Sequence, residues 1–157
     1  MIQVRKKIYT TATILCIIDL IIKQLITNYL PVKEIIPNIF SIFLTHNTGA
    51  AFSILNNNQI ILILIAVIIL IIIDRKIIPK TTTKLETLSI SMIIGGALGN
   101  LIDRIINNYV IDYLSFNIFG YHFPVFNFAD ILITIGAMLL AIQQLKGDEN
   151  ENNTRKK

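Results

Sequence analysis

The amino-acid sequence predicts an all-α polytopic membrane protein with four transmembrane helices, a small extracytoplasmic β element and an interfacial loop or helix. Composition is the first observation behind this fold class: 54% of the 157 residues are hydrophobic and the mean hydropathy is +0.66. The apolar residues also fall in runs too long for the strands of a soluble domain, and basic residues separate these runs. One membrane domain over residues 1–147 follows, with a polar, disordered tail at 148–157.

The four predicted spans cover residues 8–29, 58–78, 85–106 and 126–145. The second is the shortest, because its unbroken apolar run extends only from Ile60 to Ile73. When Asn58 and Ile78 are included, this segment reaches about 30 Å at 1.5 Å per residue, which is the thickness of the hydrocarbon core. Four membrane helices therefore account for most of the chain.

The distribution of lysine and arginine predicts the orientation, because cytoplasmic loops carry an excess of these residues. Eleven of the 14 lie before the first span, between the second and third, or after the fourth: Arg5, Lys6, Lys7, Arg75, Lys76, Lys80, Lys84, Lys146, Arg155, Lys156 and Lys157. Both termini and the loop at 74–84 are therefore predicted to be cytoplasmic, and the loops at 30–58 and 107–125 external. These basic clusters favour anionic membrane lipids as partners, so no nucleic acid is expected.

Both external loops have patterns typical of ordered structure. Turn residues alternate with a strand-like stretch, residues 39–45, in the first loop, which predicts a small β element on the outer membrane surface. The second loop is rich in aromatic residues, and tyrosine at this depth anchors a segment in the membrane interface. The loop at 107–125 is therefore predicted to lie on the bilayer.

Four aspartates lie within or beside the apolar runs: Asp19, Asp103, Asp112 and Asp130. A carboxylate in or near hydrocarbon costs several kcal/mol unless it is paired, hydrated or protonated, so these positions indicate a polar site. Asp19 and Lys23 are four residues apart on one helical face, with the acid first, which favours a structural ion pair. The functional residues of the chain are expected among these side chains.

A second polar group lies near the outer end of the third span. Asn100 and Arg104 are one helical turn apart, and Asp103 lies beside them, so this turn is expected to build or brace a site. The nearby glycines Gly95 and Gly99 have the GxxxG spacing that is typical of close helix packing. We interpret the glycines as structural.

Asp112 and Asp130 differ from the other two aspartates because neither has a cationic neighbour in the sequence. The predicted topology places both at the external edge of the membrane. Two carboxylates that approach closely cannot both ionise, so they share a proton, and one can activate water while the other protonates a carbonyl oxygen. The residues alone leave aspartyl peptide hydrolysis and a proton-relay or ion site as equal alternatives.

Other chemistries have no support in the sequence. The single cysteine, Cys16, lies in the middle of a span, so no disulfide framework or metal-binding cysteine cluster is expected. There are two histidines and no HExxH, GxSxG or phosphate-binding glycine motif. A proton-sharing pair of carboxylates needs no metal and no organic cofactor.

Five blocks together resemble the bacterial lipoprotein signal peptidases, the signal peptidase II family. They are Asp19-Leu-Ile-Ile-Lys23, Asn47-Thr-Gly-Ala-Ala-Phe52, Gly95-Gly-Ala-Leu-Gly-Asn100-Leu-Ile-Asp103-Arg104, Asp112 eight residues later, and Phe126-Asn127-Phe-Ala-Asp130. The blocks occur in the order of the family and extend from the first span to the fourth.

This resemblance implies an inner-membrane aspartyl endopeptidase. Such an enzyme removes signal peptides from prolipoproteins, just before the lipidated cysteine, after diacylglyceryl transfer. The resemblance assigns the catalytic dyad to Asp112 and Asp130, implies no cofactor, and is compatible with a monomer. It places the following residues in the supporting shell: Asp19, Lys23, Asn47, Gly49, Asn100, Arg104 and Asn127.

The chain departs from the family pattern at a few positions. His46 stands where arginine is common, and Asn108 where glycine is frequent, although asparagine also tolerates left-handed backbone. Tyr113 replaces the usual phenylalanine after the first catalytic aspartate, and Ile131 a frequent serine after the second. Neither of the last two replacements is expected to touch the acid chemistry.

Two alternatives from other functional classes remain, and one among the enzymes. A non-enzymatic helix-packing protein would explain the glycines but would leave Asp112 and Asp130 unpaired at a cost. A small proton-coupled carrier would also place carboxylates in membrane spans, but carriers favour midplane sites between related halves, and this chain has no internal repeat. A different intramembrane aspartyl protease is the alternative among the enzymes, although the Gly-x-Gly-Asp signature of such enzymes is missing.

Overall fold

The computed structural model describes residues 2–49 and 58–155, with side chains described as far as residue 145. Within these residues, four α-helices and four β-strands alternate in groups. They are α1 (Ile2–Tyr29), β1 (Val32–Ile36), β2 (Phe40–Asn47), α2 (Gln59–Ile72), α3 (Lys84–Asn107), β3 (Val110–Ile118), β4 (Tyr121–His122) and α4 (Phe128–Arg155). A π-helical turn at Ile73–Ile77 and a 3-10 turn at Ile78–Lys80 continue α2.

Each of the four helices overlaps one of the predicted spans. Three of them are long and apolar enough to cross a membrane: α1, α3, and α4 as far as Leu145. The α-helical part of α2 has 14 residues, but the two turns that follow carry the helical backbone on to Lys80, for a total rise of about 30 Å. The second span therefore reaches membrane length only with its non-α turns.

The central helix of the bundle is α3, which packs closely against α1 and α4. A Cβ atom on Gly95 would lie 2.9 Å from the backbone oxygen of Ala12 in α1, and one on Gly96 would collide with the backbone oxygen of Ala129 in α4. Glycine is needed at both positions because the neighbouring backbone leaves no room for a side chain. The structural interpretation of the glycines agrees with this packing.

The two segments predicted to be external form one four-stranded antiparallel sheet in the order β1-β2-β3-β4. The segment at 107–125, expected as an interfacial loop or helix, supplies two of these strands. Asn108 ends α3 in the left-handed conformation, with φ of 62°, before the chain enters β3. In the pairing of β2 with β3, Asn47 lies opposite Val110 and Thr45 opposite Asp112. The sheet lies at the end of the bundle where α1 and α3 end and α2 and α4 begin.

The motif at 47–52 and the C-terminal tail are two further parts of the sequence prediction. The motif residues Ala50, Ala51 and Phe52 lie outside the described residues. At the other end of the chain, α4 continues to Arg155, whereas the sequence predicts a disordered tail from residue 148. Extension of an existing helix adds one hydrogen bond per residue without a new nucleation step, so polar residues can continue the helical backbone.

Candidate active site

Asp130 lies in the first turn of α4, where a reciprocal cap fixes its side chain. Asn127 precedes the helix, and its Oδ1 accepts a hydrogen bond from the Asp130 amide at 2.9 Å. In return, Asp130 Oδ2 accepts one from the Asn127 amide at 3.1 Å. This is the geometry of a capping box, built here from asparagine and aspartate. The helix cap and the position of this carboxylate therefore depend on the same two residues.

Asp112 lies on β3 and is 2% exposed. Its two carboxylate oxygens accept hydrogen bonds from different elements: Oδ2 from Asn47 Nδ2 on β2 at 2.8 Å, and Oδ1 from Asn127 Nδ2 at 2.6 Å. Burial and the nearby charge of Asp130 raise the pKa of Asp112 from 3.8 to about 7, although the two amide donors act in the opposite direction. Asp112 can therefore hold a proton near neutral pH.

Asn127 connects the two aspartates. Its side-chain nitrogen donates to Asp112, while its side-chain oxygen and backbone amide bind Asp130. The same nitrogen also approaches Asn100 Oδ1 at 3.1 Å, and Asn100 Nδ2 donates to Asp130 Oδ1 at 2.8 Å. The two asparagines are thus arranged so that each carboxylate receives an amide donor.

Lys23 lies beneath this layer and is 1% exposed. Its ammonium group contacts Asp19 Oδ2 at 2.8 Å, Asp103 Oδ2 at 2.9 Å and Asn100 Oδ1 at 2.9 Å, which uses all three of its donors. Because the lysine holds the oxygen of Asn100, the nitrogen of that amide points to Asp130. The predicted Asp19 and Lys23 ion pair is therefore present, and Asp103 extends it to three charges.

Asp19 and Asp103 each bind a second partner that links helices to the site. Asp19 Oδ1 accepts a hydrogen bond from the Ala129 amide in the first turn of α4 at 3.0 Å. Asp103 Oδ2 accepts one from the Ile111 amide, next to Asp112, at 3.1 Å. Asp103 is absent from the supporting shell predicted by family resemblance, and its position one turn from Asn100 is the signal that could have added it.

Arg104 binds the turn that follows β2. Its Nη2 donates to the Gly49 carbonyl at 3.2 Å and its Nη1 to the Asn100 carbonyl at 3.3 Å. Gly49 also donates its amide to Asn47 Oδ1 at 2.9 Å, so this turn fixes the asparagine that binds Asp112. Arg104, Gly49 and Asn47 therefore form one connected group at the edge of the site.

Tyr113 is a further residue of this region, to which sequence analysis assigned no role. Its hydroxyl accepts a hydrogen bond from the Phe128 amide, the first residue of α4, at 3.2 Å. The tyrosine that replaces phenylalanine in this chain thus contacts the helix that carries Asp130. Among the described residues, no three His, Cys, Asp or Glu side chains are grouped as metal ligands.

All nine site residues predicted from the sequence lie in this connected network: Asp19, Lys23, Asn47, Gly49, Asn100, Arg104, Asp112, Asn127 and Asp130. They come from α1, the β2 segment, α3, β3 and the start of α4. The arrangement is a pair of carboxylates at one end of an apolar bundle, Asp112 buried and Asp130 partly exposed, with amide donors on both and the paired Lys23 ammonium group below. Such a pair can exchange protons with a water molecule and a carbonyl group.

The chain matches the family model described as signal peptidase (SPase) II over residues 11–146. It is 37% identical to the lipoprotein signal peptidase of Staphylococcus haemolyticus over 151 residues, which cover 90% of this chain and 96% of that protein. It is 39% identical to the lipoprotein signal peptidase of Burkholderia ambifaria over 118 residues, which cover 73% and 71% of the two chains. A solved structure, described as a bacterial membrane enzyme, superimposes with a TM-score of 0.83 at 35% identity and covers 91% of this chain and 90% of that one.

Proposed function

The chain belongs to the signal peptidase II family of bacterial membrane aspartic endopeptidases, and from this premise we propose that Asp112 and Asp130 are its catalytic dyad. As a member of that family, the protein cleaves signal peptides from prolipoproteins. The bond that we expect it to cut lies just before the diacylglyceryl-modified cysteine. The carrier and the unrelated intramembrane protease are not favoured, because both would require a different family.

The observation that carries this assignment is the sharing of Asn127 by both aspartates. One asparagine donates to Asp112 at 2.6 Å and forms the reciprocal cap with Asp130, so the two carboxylates are held as one unit. Asn47 and Asn100 supply the remaining donors. Amide donors aimed at carboxylates are suited to proton exchange because they hold the oxygens in place without supplying a competing acid.

The geometry supports an acid–base mechanism in which water is the nucleophile. The ionised carboxylate removes a proton from water as the water oxygen bonds to the scissile carbonyl carbon, and the protonated carboxyl donates its proton to the carbonyl oxygen. A neutral tetrahedral diol results. Its collapse re-forms the carbonyl as the carbon–nitrogen bond breaks, with a proton passing to the leaving amine. The dyad ends with one proton, as it began.

We assign the resting proton to Asp112. Asp112 is buried and lies near the charge of Asp130, and both raise the pKa of Asp112. Infrared spectra recorded near neutral pH should show the band of a protonated carboxyl group in the wild-type protein. The same band should be missing from the spectrum of Asp112→Asn. A band that survives in Asp112→Asn would reverse the assignment.

The location of the site suits a substrate that reaches it from the bilayer. The protein is a multi-pass protein of the bacterial inner membrane. We propose that both termini are cytoplasmic and that the dyad lies on the extracytoplasmic side. An acylated substrate can then diffuse laterally with its lipid in the bilayer while its peptide bond meets the dyad at the membrane surface. Membrane lipids and the modified prolipoprotein are the proposed partners, and we propose that one chain suffices.

Purified variants assayed on diacylglyceryl-modified prolipoprotein test this proposal. Asp112→Asn and Asp130→Asn preserve shape and remove the titratable proton, so each should lower turnover at least ~100-fold, since acid–base help alone contributes ~10²–10⁴-fold. Asp74→Asn is a matched control, because Asp74 pairs with Arg5 at the opposite end of the bundle. Turnover above about 1% of wild type in either dyad variant would exclude the dyad, provided that both variants remain folded.

A further inference from the structure

Tyr113 makes two hydrogen bonds to the segment that leads into α4. Its backbone amide donates to the Phe126 carbonyl at 3.1 Å, and its side-chain hydroxyl accepts from the Phe128 amide at 3.2 Å. These partners lie on either side of Asn127. The tyrosine is 3% exposed and directly follows Asp112 on β3. One residue therefore joins the strand that carries Asp112 to the start of the helix that carries Asp130.

The first amides of an α-helix have no partner within the helix and need one from outside. In α4, the Phe128 amide binds the Tyr113 hydroxyl, the Ala129 amide binds Asp19 Oδ1 at 3.0 Å, and the Asp130 amide binds Asn127 Oδ1. Of these three acceptors, only Tyr113 lies on the strand of Asp112. Its hydroxyl therefore links that strand to the first turn of α4, in addition to Asn127, whose side chain binds both carboxylates.

We propose that Tyr113 is a positioning residue for the peptidase reaction, whose hydroxyl fixes the first turn of α4 against β3 and so sets the separation of Asp112 and Asp130. The inference rests on the proposed dyad. It assigns a mechanistic role to a side chain that departs from the phenylalanine usual in the family. The hydroxyl is thus an added restraint on a site whose acid–base groups are otherwise complete, and its removal should slow the reaction without abolishing it.

The chemistry of the side chain suits this role. Burial raises the pKa of the Tyr113 hydroxyl above its ordinary value of 10, so the group stays neutral and fixed over the working range of the enzyme. Displacements of about 1 Å at a catalytic group can cost up to ~10²-fold in rate. The interaction between two carboxylates also weakens as they separate. A looser dyad should therefore be slower and should share its proton less strongly.

Tyr113→Phe tests the proposal because it removes one oxygen and keeps the ring. We expect kcat to fall roughly 3- to 30-fold with KM changed less than about twofold, because acid–base geometry and not substrate binding is affected. The two limbs of the pH–rate profile should move closer together, since their spacing reports the coupling of the carboxylates. Tyr121→Phe is the matched control, because Tyr121 is exposed on β4. This variant should leave kcat and the spacing of the two pH limbs unchanged.

Wild-type kcat and limb spacing in a folded Tyr113→Phe enzyme would overturn the proposal. So would a loss that Tyr121→Phe shares. If instead the dyad variants Asp112→Asn and Asp130→Asn stay active, the proposed function fails, whatever Tyr113→Phe does. The two failures are therefore distinguishable.

A second variant removes the other half of the hydrogen bond. Phe128→Pro deletes the donor amide at the first helical position, where proline is well tolerated. If Tyr113 acts through that amide, adding Tyr113→Phe to Phe128→Pro should change kcat less than about twofold, although Tyr113→Phe alone slows the wild-type enzyme. Equal effects of Tyr113→Phe in both backgrounds would contradict the proposal. Thermal melting of each variant establishes that the compared proteins are folded.

Discussion

The charges of Lys23, Asp19 and Asp103 compensate one another over distances of 2.8 and 2.9 Å. Lys23 has two carboxylate partners and one amide oxygen, so the ammonium group is saturated in a place that excludes water. A buried cation that lacks such partners would cost several kcal/mol. The cluster of Lys23, Asp19 and Asp103 therefore has a structural role. Lys23 also binds the side-chain oxygen of Asn100 and so orients the amide nitrogen that donates to Asp130.

Substitutions at Lys23 and Asp19 should have unequal effects. Lys23→Met removes the cation that pairs with both Asp19 and Asp103, so we expect a loss of about 3–5 kcal/mol in the free energy of unfolding. Asp19→Asn should cost less, because Lys23 keeps Asp103 and the new amide oxygen can still accept from Ala129. Unfolding of the purified proteins in detergent measures both. An Asp19→Asn variant as unstable as Lys23→Met would contradict the interpretation that Asp19 and Asp103 share Lys23.

Asp112 should make stability depend on pH. Its pKa is about 7 in the folded protein and near 3.8 when unfolded, so between these values the folded state holds a proton that the unfolded chain releases. The free energy of unfolding therefore falls as pH rises through this window, by at most about 4 kcal/mol, and is level above it. Asp112→Asn removes this contribution.

The melting temperature of Asp112→Asn relative to wild type should consequently be higher at about pH 8 than at about pH 4. The test is how the difference in melting temperature between Asp112→Asn and wild type changes with pH. A constant difference caused by the altered hydrogen bonds therefore does not affect it. Asp74→Asn at the other end of the bundle serves as the reference. A difference that does not change with pH would contradict the raised pKa of Asp112.

At the scale of elements, the glycines of α3 determine how closely the helices that carry the site approach. Gly96 faces the Ala129 backbone, one residue before Asp130, and Gly99 faces the Asp19 side chain. These contacts fix α3 relative to the first turn of α4. Close helix packing and the geometry of the dyad thus depend on the same surface.

Gly96→Ala should therefore affect both stability and activity. The added methyl group would meet a backbone oxygen, which cannot rotate away, so we expect a loss of about 1–3 kcal/mol and a fall in kcat. Thr134→Ala, on the exposed face of α4, is the control and should change neither. Denaturation and cleavage assays provide the two readouts, and wild-type stability of Gly96→Ala would show that the helices can separate freely.

The sequence predicts elements better than their pairing. The helices follow from long apolar runs, each of which can be recognised within about 20 residues. The sheet could not be predicted in full, because β2 pairs with β3, about 70 residues later, and no local pattern identifies that partner. The interfacial segment was accordingly expected as a loop or helix.

Within the site, too, residues in local motifs could be predicted, whereas contacts between distant segments could not. Asp112, Asp130 and Asn127 lie in recognisable motifs, so the sequence alone was enough to propose them as site residues. The contact between the Tyr113 hydroxyl and the Phe128 amide could not, because it depends on how β3 docks against the start of α4. The second contact of Asp103, with Ile111, likewise requires knowledge of where β3 begins.

At the scale of the whole molecule, the dyad and the sheet lie at one end of the bundle, and the predicted cytoplasmic charges at the other. Arg5 pairs with Asp74 near the start of α1 and the end of α2, while Thr83 before α3 contacts Gln143 in α4. The sheet connects the opposite ends of these helices. This polarity makes the orientation in the membrane testable with two labels.

A membrane-impermeant thiol reagent should reach the sheet end from outside intact cells. Cysteine at Phe119, which is fully exposed at the β3–β4 turn, should be labelled, and cysteine at Thr82 should not. Cys16 is buried and can be replaced by serine first. Disrupted cells serve as the control, since both sites should then react. Labelling of Thr82→Cys in intact cells would reverse the orientation.

The proposed mechanism depends on Asp112 and Asp130 acting as one proton-sharing unit. Single-turnover cleavage of diacylglyceryl-modified prolipoprotein by Asp112→Asn, Asp130→Asn and the double variant tests this most directly. If the carboxylates act together, each single variant loses at least ~100-fold and the double variant is scarcely slower than either, because the first substitution already disables the unit. Losses that multiply in the double variant, in enzymes that fold and bind substrate, would show two independent groups and contradict the shared dyad.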